Sequence, residues 1–365
     1  MRITRLELAD FRNYERMTIE PSSGLTIIVG PNAVGKTNII EAVQLVTAAR
    51  SFRHPDPSEL VRWGARQARV GMRAEDGSRL LEIQLDVDEE GHRTYLVNGQ
   101  AKRRHSEVAG LLPSVVFTPD DLGMVKGPAE RRRASIDDLG EQLSATYGAL
   151  RRDYGRAVRQ RNTLLKEGMA GEASRVWDEQ VATLGARFVV RRTTLLERLM
   201  EQASLRYAEM SGGETLGYTY TDRCGLAACG SREVEEVAGS IRAEMTRRRA
   251  EERRRMVTLA GPHRDDIVIE IEGRDARTFA SQGQQRTVAL AWKLAEVAVV
   301  EDVLRRKPLL LLDDVMSELD ADRRAALSAV VSNEVQTIVT TTTTGYFAAD
   351  MLARSLVVPI ARGDR

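Results

Sequence analysis

Hydrophobic positions in the first 120 residues recur at spacings that predict strands. Arg2–Leu8, Gly24–Val29, Leu80–Val87 and Arg93–Val97 are rich in Ile, Val and Leu with partial alternation. Asn98-Gly99 is a strong hairpin turn, and one helix interrupts the strands from Gly35 to Ala48. From Pro128 to Met256 the pattern changes. Leu139, Leu143, Tyr147, Leu150, Tyr154 and Val158 recur at helical spacing in stretches of Ala, Leu, Arg and Glu, which predicts a helical insertion. Strand-like sequence returns at Ile267–Ile271, followed by a helix over Gln284–Leu304, the apolar run Leu309–Leu312, a helix over Asp322–Val331 and a strand over Gln336–Thr340. The expectation is one α/β domain in two halves, 1–125 and 259–365, divided by a helical insertion over 126–258.

Composition narrows the class. A chain of 365 residues with 42% hydrophobic and 29% charged positions buries a large core and leaves no room for a long disordered tail. No apolar stretch reaches about 18 residues and the N-terminus alternates charge with hydrophobe, so a cytoplasmic protein is expected, neither secreted nor membrane-spanning. Two cysteines, Cys224 and Cys229, indicate neither a disulfide framework nor a zinc site; filling space in a reducing compartment is the expected role. The net charge of +1 conceals an imbalance, because Lys is rare and Arg clusters at 131–161 and 247–255. Such runs are ordinarily solvated helix faces.

Candidate chemistry begins at Gly30, Pro31, Asn32, Ala33, Val34, Gly35, Lys36 and Thr37, which fit G-x-x-x-x-G-K-[ST] between an apolar strand and a helix. Glycines let backbone N–H groups turn inward toward phosphate oxygens, and the helix start adds partial positive charge. Lys36 supplies a full charge for the β- and γ-phosphates, and Thr37 a hydroxyl for Mg2+. Leu309–Leu312 then deliver Asp313 and Asp314: Asp313 to hold Mg2+, Asp314 to activate the attacking water. An ordinary helix cap is the plainer reading of two such acids. Ser281, Gln282, Gly283, Gln284 and Gln285 make a second anion-binding helix start, and Ser317-Glu318-Leu319-Asp320 follows the acid pair.

This order resembles the ABC ATPase heads of the SMC class, and most closely the RecF family of bacterial recombination mediators. The segments that carry the likeness are GPNAVGKTNIIEA at 30–42, SFR at 51–53, YLVNG at 95–99, FTPDDL at 117–122, KGPAERRR at 126–133, LAGPHRDD at 259–266 and SQGQQRTVALAWKLAE at 281–296. The resemblance implies a P-loop ABC-type head that binds ATP and Mg2+, dimerises on ATP and binds DNA. It implies further that the protein helps install RecA on single strands coated by SSB, with RecR and RecO as partners. In such heads the nucleotide on Gly30–Thr37 and Asn38 of one protomer is capped in trans by Ser281–Gln285 of the other, with Ser317 and Asp320 in the D-loop and Arg12 approaching the nucleotide. With such a head, Arg131, Arg132, Arg133, Arg151, Arg152, Arg156 and Arg159 become candidates for contact with duplex or junction DNA. Three departures from the broader pattern imply slow hydrolysis. Thr118 or Asp120 stands where a Gln is usual, only Thr follows the strand 336–340 where a His is usual, and Asp314 replaces Glu. Two rivals remain open, a transporter nucleotide-binding subunit and a non-hydrolysing clamp gated by nucleotide.

Overall fold

The computed structural model describes residues 1–168, 172–222, 233–332 and 335–361. Cys224 and Cys229 lie outside them. The elements are, in chain order, β1 (Arg2–Phe11), β2 (Tyr14–Ile19), β3 (Leu25–Val29), α1 (Lys36–Ala48), β4 (Gln67–Asp76), β5 (Arg79–Asp88), β6 (Arg93–Val97), β7 (Gln100–Ala101) and β8 (Ser114–Phe117). Next come α2 (Ala129–Leu143), α3 (Ala145–Lys166), α4 (Glu172–Ser211), β9 (Leu216–Thr221), α5 (Val234–Arg255), β10 (Asp266–Ile271), β11 (Arg274–Asp275) and α6 (Ala276–Phe279). The chain continues with α7 (Gln282–Leu304), β12 (Leu309–Asp313), α8 (Ala321–Ser332), β13 (Thr337–Thr341), α9 (Ala349–Ala353) and β14 (Leu356–Pro359).

Two compact units emerge, one of residues 1–123 with 289–365, the other of 124–288. In the first unit, β14-β3-β13-β12-β8 form a fully parallel sheet, and β2-β1-β4-β5-β6-β7 an antiparallel one. Their sequences differ as their burial does. β12 and β13 are buried at every position, β12 as four leucines before Asp313 and β13 as Thr, Ile and Val, whereas β5 alternates buried with half-buried from Leu81 onward. Helix α1 packs against strands of both sheets and is buried around nearly its whole circumference, including the polar Glu41, Gln44 and Thr47. Gln336 ties β1 to the parallel sheet's end: its Oε1 accepts from Ile3 N at 2.7 Å, and its Nε2 donates to Ile3 O and Ser22 O at 2.8 and 2.9 Å.

The second unit is not helical alone, as the expected helical insertion over 126–258 would be. β9, the sequence LGYTYT, pairs antiparallel with β10, so β10 joins a three-stranded sheet with β9 and β11 instead of the head. Consequently the return to the first unit comes at Ala289, not at 259. β4 and β14 are also strands that the hydrophobic pattern did not announce. β4 buries Ala68, Val70, Met72 and Ala74 on one face, and small Ala side chains with intervening Arg weaken that signal. Among the described residues no helix is long and apolar enough to cross a membrane.

The LAGPHRDD turn supplies the second unit's ionic core. Arg192, almost fully buried, makes a bidentate pair with Asp137 at 2.8 and 2.9 Å and donates to Pro262 O. His263 sits between Tyr154 Oη at 2.6 Å and Thr258 O at 3.1 Å, and burial pushes its pKa down to about 4, with Arg264, Arg133 and Arg192 adding to the fall. Asp265 is buried too, and its pKa rises to about 6 against the opposing pull of Arg192 and of the Tyr220 hydroxyl, which donates to it at 2.7 Å. The signs oppose each other. Asp265 holds its proton more tightly folded than unfolded, so its contribution grows as pH falls through about 6; His263 takes its proton less readily folded, so its contribution shrinks below its ordinary 6.5. Between pH 7 and roughly pH 4.5 the two offset each other. Denaturant titrations at both pH values should show Asp265→Asn losing about 2 kcal/mol more on acidification than the parent, and His263→Asn about 2 kcal/mol less. Equal responses in all three proteins would refute the assignment.

Candidate phosphate and metal site

The loop after β3 is shaped by two glycines with different reasons. A Cβ on Gly30 would meet Ile360 O at 2.5 Å. Gly35 has φ 113°, and a Cβ there would strike the Asn13 amide at 2.5 Å. Between them Pro31, Asn32 and Ala33 are exposed, Ala33 at φ 61°, while Val34 is buried and anchors the loop. Lys36 opens α1 and folds its ammonium back, donating to Gly30 O at 2.7 Å and Pro31 O at 2.8 Å. Burial lowers its pKa, opposed by the carboxylates of Asp314 and Asp313.

Thr37 and Asp313 meet although 276 residues separate them: Thr37 Oγ1 donates to Asp313 Oδ1 at 2.9 Å. β13 lies between β3 and β12, and its Thr340 donates to the same Oδ1 at 2.8 Å. Burial raises the Asp313 pKa against these two hydroxyls and the charges of Arg53 and Lys36. Asp314 follows with φ 52° and its N–H on Thr340 O at 3.1 Å. Its Oδ1 is buried without a hydrogen-bond partner. Burial raises its pKa as well, Lys36 opposing and Asp313 and Glu318 adding. A hydroxyl and a carboxylate oxygen in contact, beside a second carboxylate with an unsatisfied oxygen, form a hard oxygen donor set that fits Mg2+. The Lys36 ammonium and the turned loop complete a setting for a polyphosphate.

Behind the loop stands a hydrogen-bonded brace. Asn13 Nδ2 donates to Val34 O at 3.0 Å, Asn38 Nδ2 to Asn13 Oδ1 at 2.6 Å, and Arg53 Nη1 to Asn38 Oδ1 at 2.7 Å. Arg12 grips the fully buried Glu41 with two bonds of 2.8 and 2.9 Å, and its third arm donates to Glu59 O. Ser51 Oγ also donates to Glu41, at 2.6 Å. Arg12, expected to approach a nucleotide, thus spends its guanidinium on α1 and holds the loop's helix in place. Asn13, Glu41, Ser51 and Arg53 carry this brace, and inspection of motifs did not assign them. The available signals were the SFR segment at 51–53 and Glu41, a charge inside the mostly apolar stretch Ile39–Val46.

The remaining candidates fall elsewhere. Ser281 and Gln284 belong to the second unit and form a reciprocal capping box. Ser281 Oγ accepts from Gln284 N at 3.2 Å, and Gln284 Oε1 accepts from Ser281 N at 2.9 Å. Ser281 and Gln282 are exposed, Gly283 half-buried, and Gln285 donates to Ala280 O. Ser317 donates to Asp314 O, and Asp320 accepts from Arg323 N as the cap of α8. Thr118 donates to Asp121, Asp120 is exposed, and Thr341 and Thr343 close a turn after β13. Three of the seven arginines assigned to DNA need correction. Arg132 is 3% exposed and bound to Asp266 and to the carbonyls of Met124, Val125 and Gly127. Arg133 is half-buried and donates to Asp265 O, and Arg151 is held by Asp138 and Glu141. The buried ionic core of the second unit consumes them. Arg131, Arg152, Arg156 and Arg159 are exposed, Arg156 beside Asp153 at 3.6 Å.

Comparison with known proteins adds the lineage. The model of the RecF/RecN/SMC N terminal domain matches residues 2–357. The DNA replication and repair protein RecF of Symbiobacterium thermophilum is 42% identical over 347 residues, 94% of this chain and 92% of that one. Its counterpart from Synechococcus sp. strain JA-3-3Ab is 40% identical over 365 residues, covering 98% and 96%. The solved structure of the recombination mediator protein RecF with ATP, of the RecFOR pathway, superposes with a TM-score of 0.91 at 30% identity, covering 99% and 96%. An Smc head from Pyrococcus furiosus, at 18% identity and a TM-score of 0.56, shares the fold. On both its sequence and its architecture, this chain belongs to the RecF family, within the RecF/RecN/SMC N-terminal domain class.

Proposed function

We propose that this protein is an ATP-dependent DNA-binding protein of recombinational repair and replication, and that ATP with Mg2+ occupies the loop Gly30–Thr37. The observation that carries the reading is the Thr37–Asp313 contact at 2.9 Å beside the unsatisfied oxygen of Asp314, next to a loop that only glycine permits at Gly30 and Gly35. Thr37 and Asp313 would hold Mg2+ there, and the ion would supply positive charge against the charge that develops on the phosphates. The chain's own groups do the rest. Lys36 exchanges two neutral carbonyl acceptors for phosphate oxygens, the inward N–H groups orient the triphosphate, and Thr37 and Asp313 hold the metal. Asp314, its basicity raised by burial, accepts a proton from the attacking water. Ser281, at the exposed start of α7, caps the γ-phosphate of a second copy, so ATP joins two protomers. Hydrolysis is slow, because the described residues offer neither a Gln at Thr118 nor a His after β13 to help position that water.

The DNA-binding surface narrows to the exposed arginines of α2 and α3. Arg152 and Arg159 have no carboxylate partner among the described residues, so phosphates meet no internal competitor there. As in the RecFOR pathway of its relative, RecR and RecO are the proposed partners, with RecA loading on SSB-coated strands the outcome.

Sedimentation and turnover assays test the catalytic assignment. Asp314→Asn should accumulate ATP-bound dimers and lose about 10²-fold or more in turnover, the usual worth of a general base. A non-hydrolysing clamp would be unmoved by that change. DNA affinity, measured against salt, should fall steeply, and Arg152→Ala or Arg159→Ala should each flatten the log–log slope by about 1 without loss of stability. Arg132→Ala should instead destabilise the fold by about 1–3 kcal/mol, since it removes the two guanidinium bonds to Asp266 and the donor to three backbone carbonyls.

A further inference from the structure

In the second unit the longest helix, the 40-residue α4, ends in two glycines in the left-handed region, Gly212 at φ 73° and Gly213 at φ 100°. This sharp stop returns the chain at once to β9 and places Glu214 at the corner. Glu214 accepts from the buried Tyr207 Oη at 2.7 Å, fixing it to the helix it has just left. Both its carboxylate oxygens also face Gln284 Nε2, at 3.0 and 3.2 Å. The other end of that amide, Oε1, accepts from Ser281 N and closes the capping box. Gln284 has one acceptor and one donor end, so the carboxylate fixes which way it points. With Glu214 absent, Gln284 can rotate, and the Ser281 backbone then loses its partner.

We propose that Glu214 is a positioning residue for the Ser281–Gln285 helix start, holding Gln284 so that Ser281 presents its hydroxyl and N-terminal N–H groups to the γ-phosphate of a second copy. This rests on the trans-capping reading above. It assigns a task to a carboxylate that no phosphate-binding motif contains, and it ties the end of α4 to the start of α7. β9, β10 and β11 reinforce the same corner, with Thr215 N and Oγ1 both donating to Glu272.

The test compares Glu214→Ala, Glu214→Gln, Gln284→Glu and the double variant E214Q/Q284E in the full chain, with Ser281→Arg as control. Binding of a fluorescent ATP analogue to monomer, ATP-dependent sedimentation, kcat, KM and thermal midpoint are the readouts. Glu214→Ala should bind nucleotide within about twofold of the parent, because the phosphate loop lies in the other unit. Its dimer affinity and kcat should drop together by about tenfold or more, the worth of a charge-assisted hydrogen bond, with KM little changed. E214Q/Q284E exchanges donor for acceptor and should recover most of that loss, which a merely structural role does not predict. Should Glu214→Ala be too unstable to assay, Glu214→Gln and the double variant decide. If the Glu214 variants dimerise as tightly as the parent while Ser281→Arg stays monomeric, the proposal fails and trans-capping stands. If Ser281→Arg dimerises with ATP, trans-capping fails and the proposal with it.

Discussion

The candidate site exists only because the parallel sheet of the first unit draws strands from both ends of the chain. β3 carries the phosphate loop and β12 the acid pair, and β13 must lie between them in register, Val29 beside Thr341 and Thr340 beside Asp313. A shift of one residue would turn Asp313 to the opposite face, because successive strand side chains alternate. Burial on both faces protects that register: β12 and β13 have no exposed position. The same burial desolvates Asp313 and Asp314 and leaves one oxygen of Asp314 without a hydrogen-bond partner. Stability and chemistry therefore draw on one arrangement.

A second layer keeps the loop rigid. The Arg12–Glu41 pair has good two-bond geometry, and Ser51 helps to satisfy the carboxylate, which is the condition under which a buried ion pair holds without leaving an unpaired charge. The Asn13–Asn38 link presses an amide against Gly35, so the glycine is demanded both by its φ and by its neighbour. These contacts join residues 12 and 13 of the turn between β1 and β2, 38 and 41 of α1, and 51 and 53 of the segment after α1, and they reach the phosphate loop at Val34 O.

Much of this was legible beforehand and some was not, for physical reasons. The phosphate loop and acid strand are written in local sequence, since each is a short segment whose backbone geometry needs particular residues. The hairpin at Asn98-Gly99 was legible for the same reason, and both residues adopt the positive φ it requires. β9 was hidden because its partner, β10, is some fifty residues away and its alternating Tyr and Thr sit among helical segments. The arginine cluster misled because charge density is visible in sequence and pairing is not. Arg132 and Arg152 look alike on paper, yet one lies against Asp266 in the interior and the other meets solvent. The resemblance gives Arg12 a place near the nucleotide, but its pairing with Glu41, 29 positions away, is brought about only by the fold.

The non-contiguous sheet also has a consequence in time. During synthesis β3 emerges early, but the strands that flank it, β13 and β14, follow only about 300 residues later, roughly 15–60 s at ordinary elongation rates. Throughout that interval β3 lacks both of its sheet neighbours, while α1 can already pack on β4 and β5, and the second unit, contiguous in sequence, can close. Any ribosome that stops short of Leu309 therefore releases a chain whose second unit can be complete but whose parallel sheet lacks β12, β13 and β14, leaving the apolar edges of β3 open to aggregation.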